Sequence, residues 1–141
     1  MSGKLDEALR GTFLALADAL IPEAEGMPAA SQVGVGGDIL DRILALRPDL
    51  RDAFMRGLHA AAGKPAAAAA EALNRDDQAA LGAIGLVAAA GYYMSPKVRA
   101  LIGYPGQESR PADPDVTPEY VANGMLQQVI ERGPIFKPTP K

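Results

Sequence analysis

Any acid–base or metal chemistry in this chain has to begin at His59, its one imidazole. On a helix, its neighbours one turn away are Met55 and Gly63, so no acid or nucleophile stands beside it to form a catalytic pair. Four carboxylate pairs come next: Asp6-Glu7, Glu23/Glu25, Asp76-Asp77 and Asp113/Asp115. Asp76-Asp77 suits a helix start, where acids complement the free N–H groups and the dipole. Glu23/Glu25 and Asp113/Asp115 fall in expected loops, without the ligand number of a calcium site. Nothing selects any pair for glycosidase-type acid–base work. Gly34, Gly36 and Gly37 invite a phosphate cradle, but the spacing is not G-x-G-x-x-G, no strand precedes it and no G-K-[ST] follows. With no Cys there is no disulfide, thiolate nucleophile or zinc ribbon. No catalytic, cofactor-binding or metal-ligating residue is assigned in this chain.

The elements that would position these residues are helices. Leu5, Leu9, Phe13, Leu16 and Leu20 form one apolar stripe, predicting a helix over 5–21 that Pro22 ends. Residues 22–37 read as a loop without evident structure, long enough to be functional or to contact a partner. A short helix over 38–45 follows. Pro48 opens a third to about residue 62, closed by Gly63. Pro65–Leu73 is an alanine run of high helix propensity with little to anchor it. Asn74, three residues before Asp77, reads as the cap of the most apolar helix, over 75–92. Its Gly82, Gly85 and Ala88–Ala90 would admit a close neighbour. Ser95-Pro96 opens a short helix that Gly103 ends, and Pro105-Gly106 suits a type II turn. Thr117-Pro118-Glu119 starts a last helix to Arg132, stopped by Gly133-Pro134, and the Pro-rich tail is extended. No strand is expected. The fold class is all-α: a small bundle of five to six helices in one domain. It divides into a helical body (4–103), a Pro-rich connector (104–116), a C-terminal helix (117–132) and an extended tail (133–141).

Composition sets the bounds. Alanine supplies 27 of the 141 residues, so the 48% hydrophobic content overstates the core that larger side chains can build. Close helix packing, or completion by another subunit, would make such a core suffice. A net charge of −3 lacks the basic surface that nucleic acid requires. No apolar run reaches the ~20 residues of a membrane span. As written the chain opens with no export signal, which implies the cytoplasm; a removed leader would instead imply the periplasm. Of only seven aromatics, Tyr92, Tyr93 and Tyr104 lie close together. They either plug the core of an aromatic-poor fold or form an interface, where Tyr and Met are enriched.

Two segments carry a resemblance. The first is Asp18-Ala-Leu-Ile-Pro22 with Gly26-Met-Pro-Ala-Ala30 and Gly34-Val35. The second is Gly91-Tyr-Tyr-Met-Ser-Pro-Lys-Val98 with Leu101-Ile-Gly-Tyr-Pro-Gly106. In this order they resemble the gluconate 2-dehydrogenase subunit 3 family, over roughly residues 12–106. The resemblance implies a non-catalytic small subunit that supports folding and stability of a large flavoprotein. That partner is a glucose–methanol–choline (GMC) type oxidoreductase carrying FAD. It oxidises a sugar, glycoside, sugar acid or polyol and passes electrons to a cytochrome c or another acceptor. Many family members carry a twin-arginine leader, which this sequence lacks. FAD would belong to the partner and no cofactor to this chain.

The residues expected to serve architecture or partner contact are Pro22, Met27, Pro28, Tyr92, Tyr93, Tyr104, Pro105, Ile135 and Phe136. On this reading the loop 22–37 and the Pro-rich stretches 107–116 and 133–141 lie over the flavoprotein. The alternative is an independent small helical protein that binds a ligand or associates with itself.

Overall fold

The computed structural model describes residues 5–109 and 116–136. Residues 110–115 of the connector, Asp113 and Asp115 among them, and the tail beyond Phe136 lie outside the described residues. The architecture is all-α, with no strand among the described residues. Helices run over Glu7–Leu20 (α1), Asp38–Leu46 (α2), Arg51–Ala61 (α3), Ala66–Asp76 (α4), Gln78–Met94 (α5), Pro96–Leu101 (α6), Glu119–Ala122 (α7) and Gln127–Arg132 (α8). Short 3₁₀ turns cover Ala30–Val33 and Pro48–Leu50. The chain falls into two units, residues 1–106 and 107–141.

Local chemistry explains some of the helix ends. Asp6 caps α1 by accepting the Leu9 N–H at 2.8 Å, with Glu7 in the first turn favoured by the dipole. Proline occupies the first position of α6 after Ser95, as expected. The cap of α5 differs from expectation. Asn74 lies inside the last turn of α4, and Asp77 is the cap, accepting the Ala80 N–H at 3.1 Å. The reason is tertiary: Arg56 of α3 reaches Asp77 with two bonds, at 2.7 and 3.2 Å, and fixes the chain there. The alanine run is also better anchored than its sequence suggested, because Ala69 and Leu73 of α4 are buried against α1, α3 and α5.

The body is built around α5, which packs against α1, α2, α3, α4 and α6. Its seventeen residues include no charge, the pattern of a helix that other elements surround. Phe13, Leu16, Leu40, Phe54, Leu58, Ile84, Val87 and Val98 are fully buried. Phe13 and Phe54 tilt against each other with centroids 5.3 Å apart, a favourable aromatic geometry. The close approaches occur at glycines other than those expected. A Cβ on Gly57 would meet Ile84 Cδ1 at 2.7 Å, and one on Gly91 would meet Val35 Cγ1 at 2.9 Å. Gly82 and Gly85 have open space where a Cβ would be. Glycine at 57 and 91 thus lets neighbouring side chains come close to the helix backbone.

Loop 22–37 is not structureless. Ala24 and Met27 exchange backbone hydrogen bonds (3.1 and 2.8 Å) across a turn at Glu25 and Gly26, and the Ala30–Val33 turn follows. Pro28, Ala29, Ala30, Val33 and Val35 are buried. The sequence predicted a loop because its short turns carry no helical or strand period and its burial depends on residues far along the chain, such as Tyr92 on Pro28.

In the second unit, the single helix expected over 117–132 is two. Asn123 and Gly124 interrupt it: Gly124 takes φ 80°, and the Asn123 side chain accepts the Met125 N–H at 3.0 Å. A side chain that bonds its own backbone competes with helix continuation. Gly133 ends α8 where Gly133-Pro134 predicted.

Candidate functional site

The segment from Asp18 to Val35 buries Pro28, Ala29, Ala30 and Val35 and is tied to the body by hydrogen bonds. Both carboxylate oxygens of Asp18, on α1, are used by Ser31: one accepts its N–H and the other its hydroxyl, each at 2.7 Å. Ala30 donates its N–H to the Ile21 carbonyl at 3.2 Å. Gln32 accepts from the Ala29 N–H at 3.0 Å and donates to Glu23 at 2.7 Å. At the far end of the loop, Arg10 of α1 donates to the Gly36 carbonyl and to that of Gly37 (3.3 Å), while its other nitrogen pairs with Asp41 at 2.9 and 3.2 Å. These glycines present oxygens to a cation, and the Gly37 N–H is spent on the Gly34 carbonyl. That polarity is opposite to a phosphate cradle.

The segment from Gly91 to Gly106 divides by helix phase. Gly91, Tyr92, Ser95 and Val98 face inward and are buried. The Tyr92 hydroxyl donates to the Pro28 carbonyl at 2.7 Å inside the protein, joining the two segments across 64 residues. Burial raises the Tyr92 phenol above its ordinary range, with a smaller push from Tyr93. The Tyr93 ring meets that of Tyr92 edge-on at 5.6 Å, yet Tyr93 itself is 59% exposed. Leu101, Ile102 and Tyr104 are likewise about half exposed, and Pro105 is exposed.

Arg99 shapes this corner. Its carbonyl accepts the Tyr104 N–H at 2.8 Å, one guanidinium nitrogen donates to the Pro105 carbonyl at 3.3 Å, and its charge sits 5.5 Å from the Tyr104 ring centre. Such a cation–ring contact is attractive. Gly106, at φ 100°, passes so near that a Cβ would lie 2.6 Å from that nitrogen. The positive φ matches the expected type II turn. A shallow cleft of about 320 Å³ is lined by Pro96, Arg99, Ala100, Tyr104 and Pro105. A second, of about 280 Å³, lies between Glu23, Met27, Pro28 and Gln32 of the loop and Lys97 and Leu101 of α6.

The nine residues expected to serve architecture or contact thus separate. Pro28 and Tyr92 are buried, and Met27 is half-buried against the core. They hold the loop and offer little surface. Pro22, Tyr93, Tyr104 and Pro105 are exposed on the body. Ile135 and Phe136 are exposed at 70% and 76% in the second unit. Sequence reasoning assigned no role to Arg10, Asp18 or Arg99: the partners of Arg10 and Asp18 lie far along the chain, and those of Arg99 lie just beyond the end of its own short helix, where no helical period reaches. His59 is exposed on the last turn of α3 and lines neither cleft. Asp76 and Asp77 engage Arg75 and Arg56. Among the described residues no group of three or more acids or histidines is arranged to hold a metal ion, and no helix is long and apolar enough to cross a membrane. No family model, curated protein or solved structure matches this chain.

Proposed function

We propose that this chain is the non-catalytic small subunit of a heteromeric, FAD-dependent GMC-type dehydrogenase acting on a sugar, glycoside, sugar acid or polyol. The observation that supports it is the division of the segment from Gly91 to Gly106. Its inward half (Tyr92, Val98) builds the body, while its outward half (Tyr93, Leu101, Ile102, Tyr104) leaves large apolar side chains in water. Aromatic anchors beside an arginine are the composition of a binding hot spot. Arg99 holds Tyr104 and Pro105 in place before binding, which lowers the ordering cost. In this reading the corner docks on the flavoprotein and stabilises its folded, FAD-loaded form by mass action. The flavoprotein performs the oxidation and delivers electrons to a cytochrome c or other acceptor.

The test is co-expression with the FAD-dependent large chain encoded beside this one. The large chain alone should be poorly folded and low in FAD. With this chain it should co-purify, loaded and active. Leu101→Asp with Ile102→Asp should abolish co-purification while leaving the melting temperature of this chain unchanged. A large chain that is fully active alone and never co-purifies ends the proposal.

A further inference from the structure

The second unit shows a different kind of surface. The core cluster of the body runs from Leu5 to Val98 and contains no residue beyond it, so the unit ending at Gly106 has the means to fold by itself. Residues 116–136 hold no buried residue, and only Leu126 and Gly133 are even half-buried. Val116, Tyr120, Val121, Met125, Val129, Ile130, Ile135 and Phe136 are exposed at 43–76%. Helices of four and six residues are also far below the ~12–15 residues that hold an isolated helix in water. A segment with neither core nor length gains its order from what covers it.

We propose that residues 116–136 are a binding arm that completes its burial in an apolar, nearly neutral groove of the flavoprotein. The proposal rests on the small-subunit reading above. Eight such side chains expose on the order of 700 Å², close to the ~800 Å² that each partner contributes to a standard interface. Charge identifies the occupant: across these 21 residues only Glu119, Glu131 and Arg132 are charged, whereas the whole chain is 22% charged. A groove matched to the arm therefore carries little charge. A membrane surface is a poor match, since interfacial helices present Lys and Arg to anionic lipid and this segment is net acidic. A second arm is a poor match as well. α8 spans only about 9 Å, too short for the repeated seam with which two helices bury each other. A preformed groove accepts short helices joined by turns, with alternate apolar anchors doing the binding.

The experiment compares the full chain, the chain ended at Gly106, and a full-length Val129→Asp/Ile130→Asp variant, each against the purified large flavoprotein chain. The expected result is that the chain ended at Gly106 melts as the full chain does and binds at least ~100-fold more weakly. The double variant weakens binding comparably, and amides of 119–132 gain hydrogen-exchange protection only in the complex. If the full chain binds and the shortened chain binds equally well, the arm proposal is wrong and the small-subunit reading survives. If the full chain itself does not bind, the small-subunit reading fails and takes the arm with it. Three other results overturn the arm alone: a large loss of melting temperature on shortening, dimerisation of the free full chain that shortening abolishes, or arm-dependent binding to phosphatidylglycerol vesicles.

Discussion

Tyr92→Phe removes one oxygen and tests how the loop is held. In the native chain the Tyr92 hydroxyl donates to the Pro28 carbonyl at 2.7 Å in a buried setting. No backbone N–H among the turn and loop bonds of the described residues also donates to that carbonyl. The substitution therefore deletes a hydrogen bond and strands a buried acceptor, which costs about 1–3 kcal/mol. Phenylalanine is more apolar and fills nearly the same space, so the middle of that range, about 2 kcal/mol, is the expected loss. For a body of this size that is roughly 8 °C in melting temperature. The assay is urea unfolding followed by circular dichroism at 222 nm, with Tyr93→Phe as control. The control ring is 59% exposed and should cost under ~0.5 kcal/mol. Hydrogen exchange supplies the local readout: the Met27 and Ala30 amides, both bonded within the loop region, should exchange up to ~30-fold faster. If Tyr92→Phe is as stable as Tyr93→Phe and the loop amides do not change, the hydroxyl does not hold the loop. Alkaline pH makes the same point. A phenol whose folded pKa is raised above 10.0 contributes stability below its unfolded value and loses it as pH rises through the folded one. The Tyr92→Phe chain should lack that increment of alkaline destabilisation.

Glycines in the helices should divide by sign. Gly57→Ala and Gly91→Ala force a Cβ against Ile84 and Val35 and should destabilise by about 1–2 kcal/mol. Gly82→Ala and Gly85→Ala meet open space and should stabilise by up to ~1 kcal/mol; thermal melts of the four decide it. Asp77 is held below the usual carboxylate range, first by Arg56 and then by the Ala80 N–H. Its contribution is present above the unfolded pKa and lost as pH falls through the lowered folded value. Asp77→Asn keeps an acceptor for the cap and loses the ion pair, so it should be less stable than wild type at neutral pH. That difference should shrink to nothing in acid unfolding below the lowered pKa, while Asp77→Ala should stay the weaker throughout. Arg99→Lys cannot bond the Pro105 carbonyl and stack on Tyr104 as a planar fork does. It should leave the melt within about 1 °C, yet weaken flavoprotein binding, read by calorimetry.

Several helix boundaries were legible because their causes are local. Ser95-Pro96 and Gly133-Pro134 act on backbone groups within three or four residues, and the α1 stripe repeats with the helical turn. Where the cause was tertiary, the local signal misled. Asn74 reads as the cap of α5, and Arg56, on another helix, holds Asp77 in that place instead. Gly82 and Gly85 look as permissive as Gly57 and Gly91, and only the neighbours at each position separate them. Loop 22–37 lacks any period, so its order could not be read before Asp18, Arg10 and Tyr92 were seen to hold it.

The all-α class and the alanine-thinned core follow from the sequence alone, because composition, propensity and periodicity are properties of the chain and its neighbouring residues. Which residues of a helix face water does not follow from it. Tyr92 and Tyr93 are identical and adjacent, and helical geometry turns them about 100° apart. One meets the Pro28 carbonyl from 64 residues away and is sealed in, while the other is left at the surface. That choice belongs to tertiary structure, since it depends on where a distant loop comes to rest.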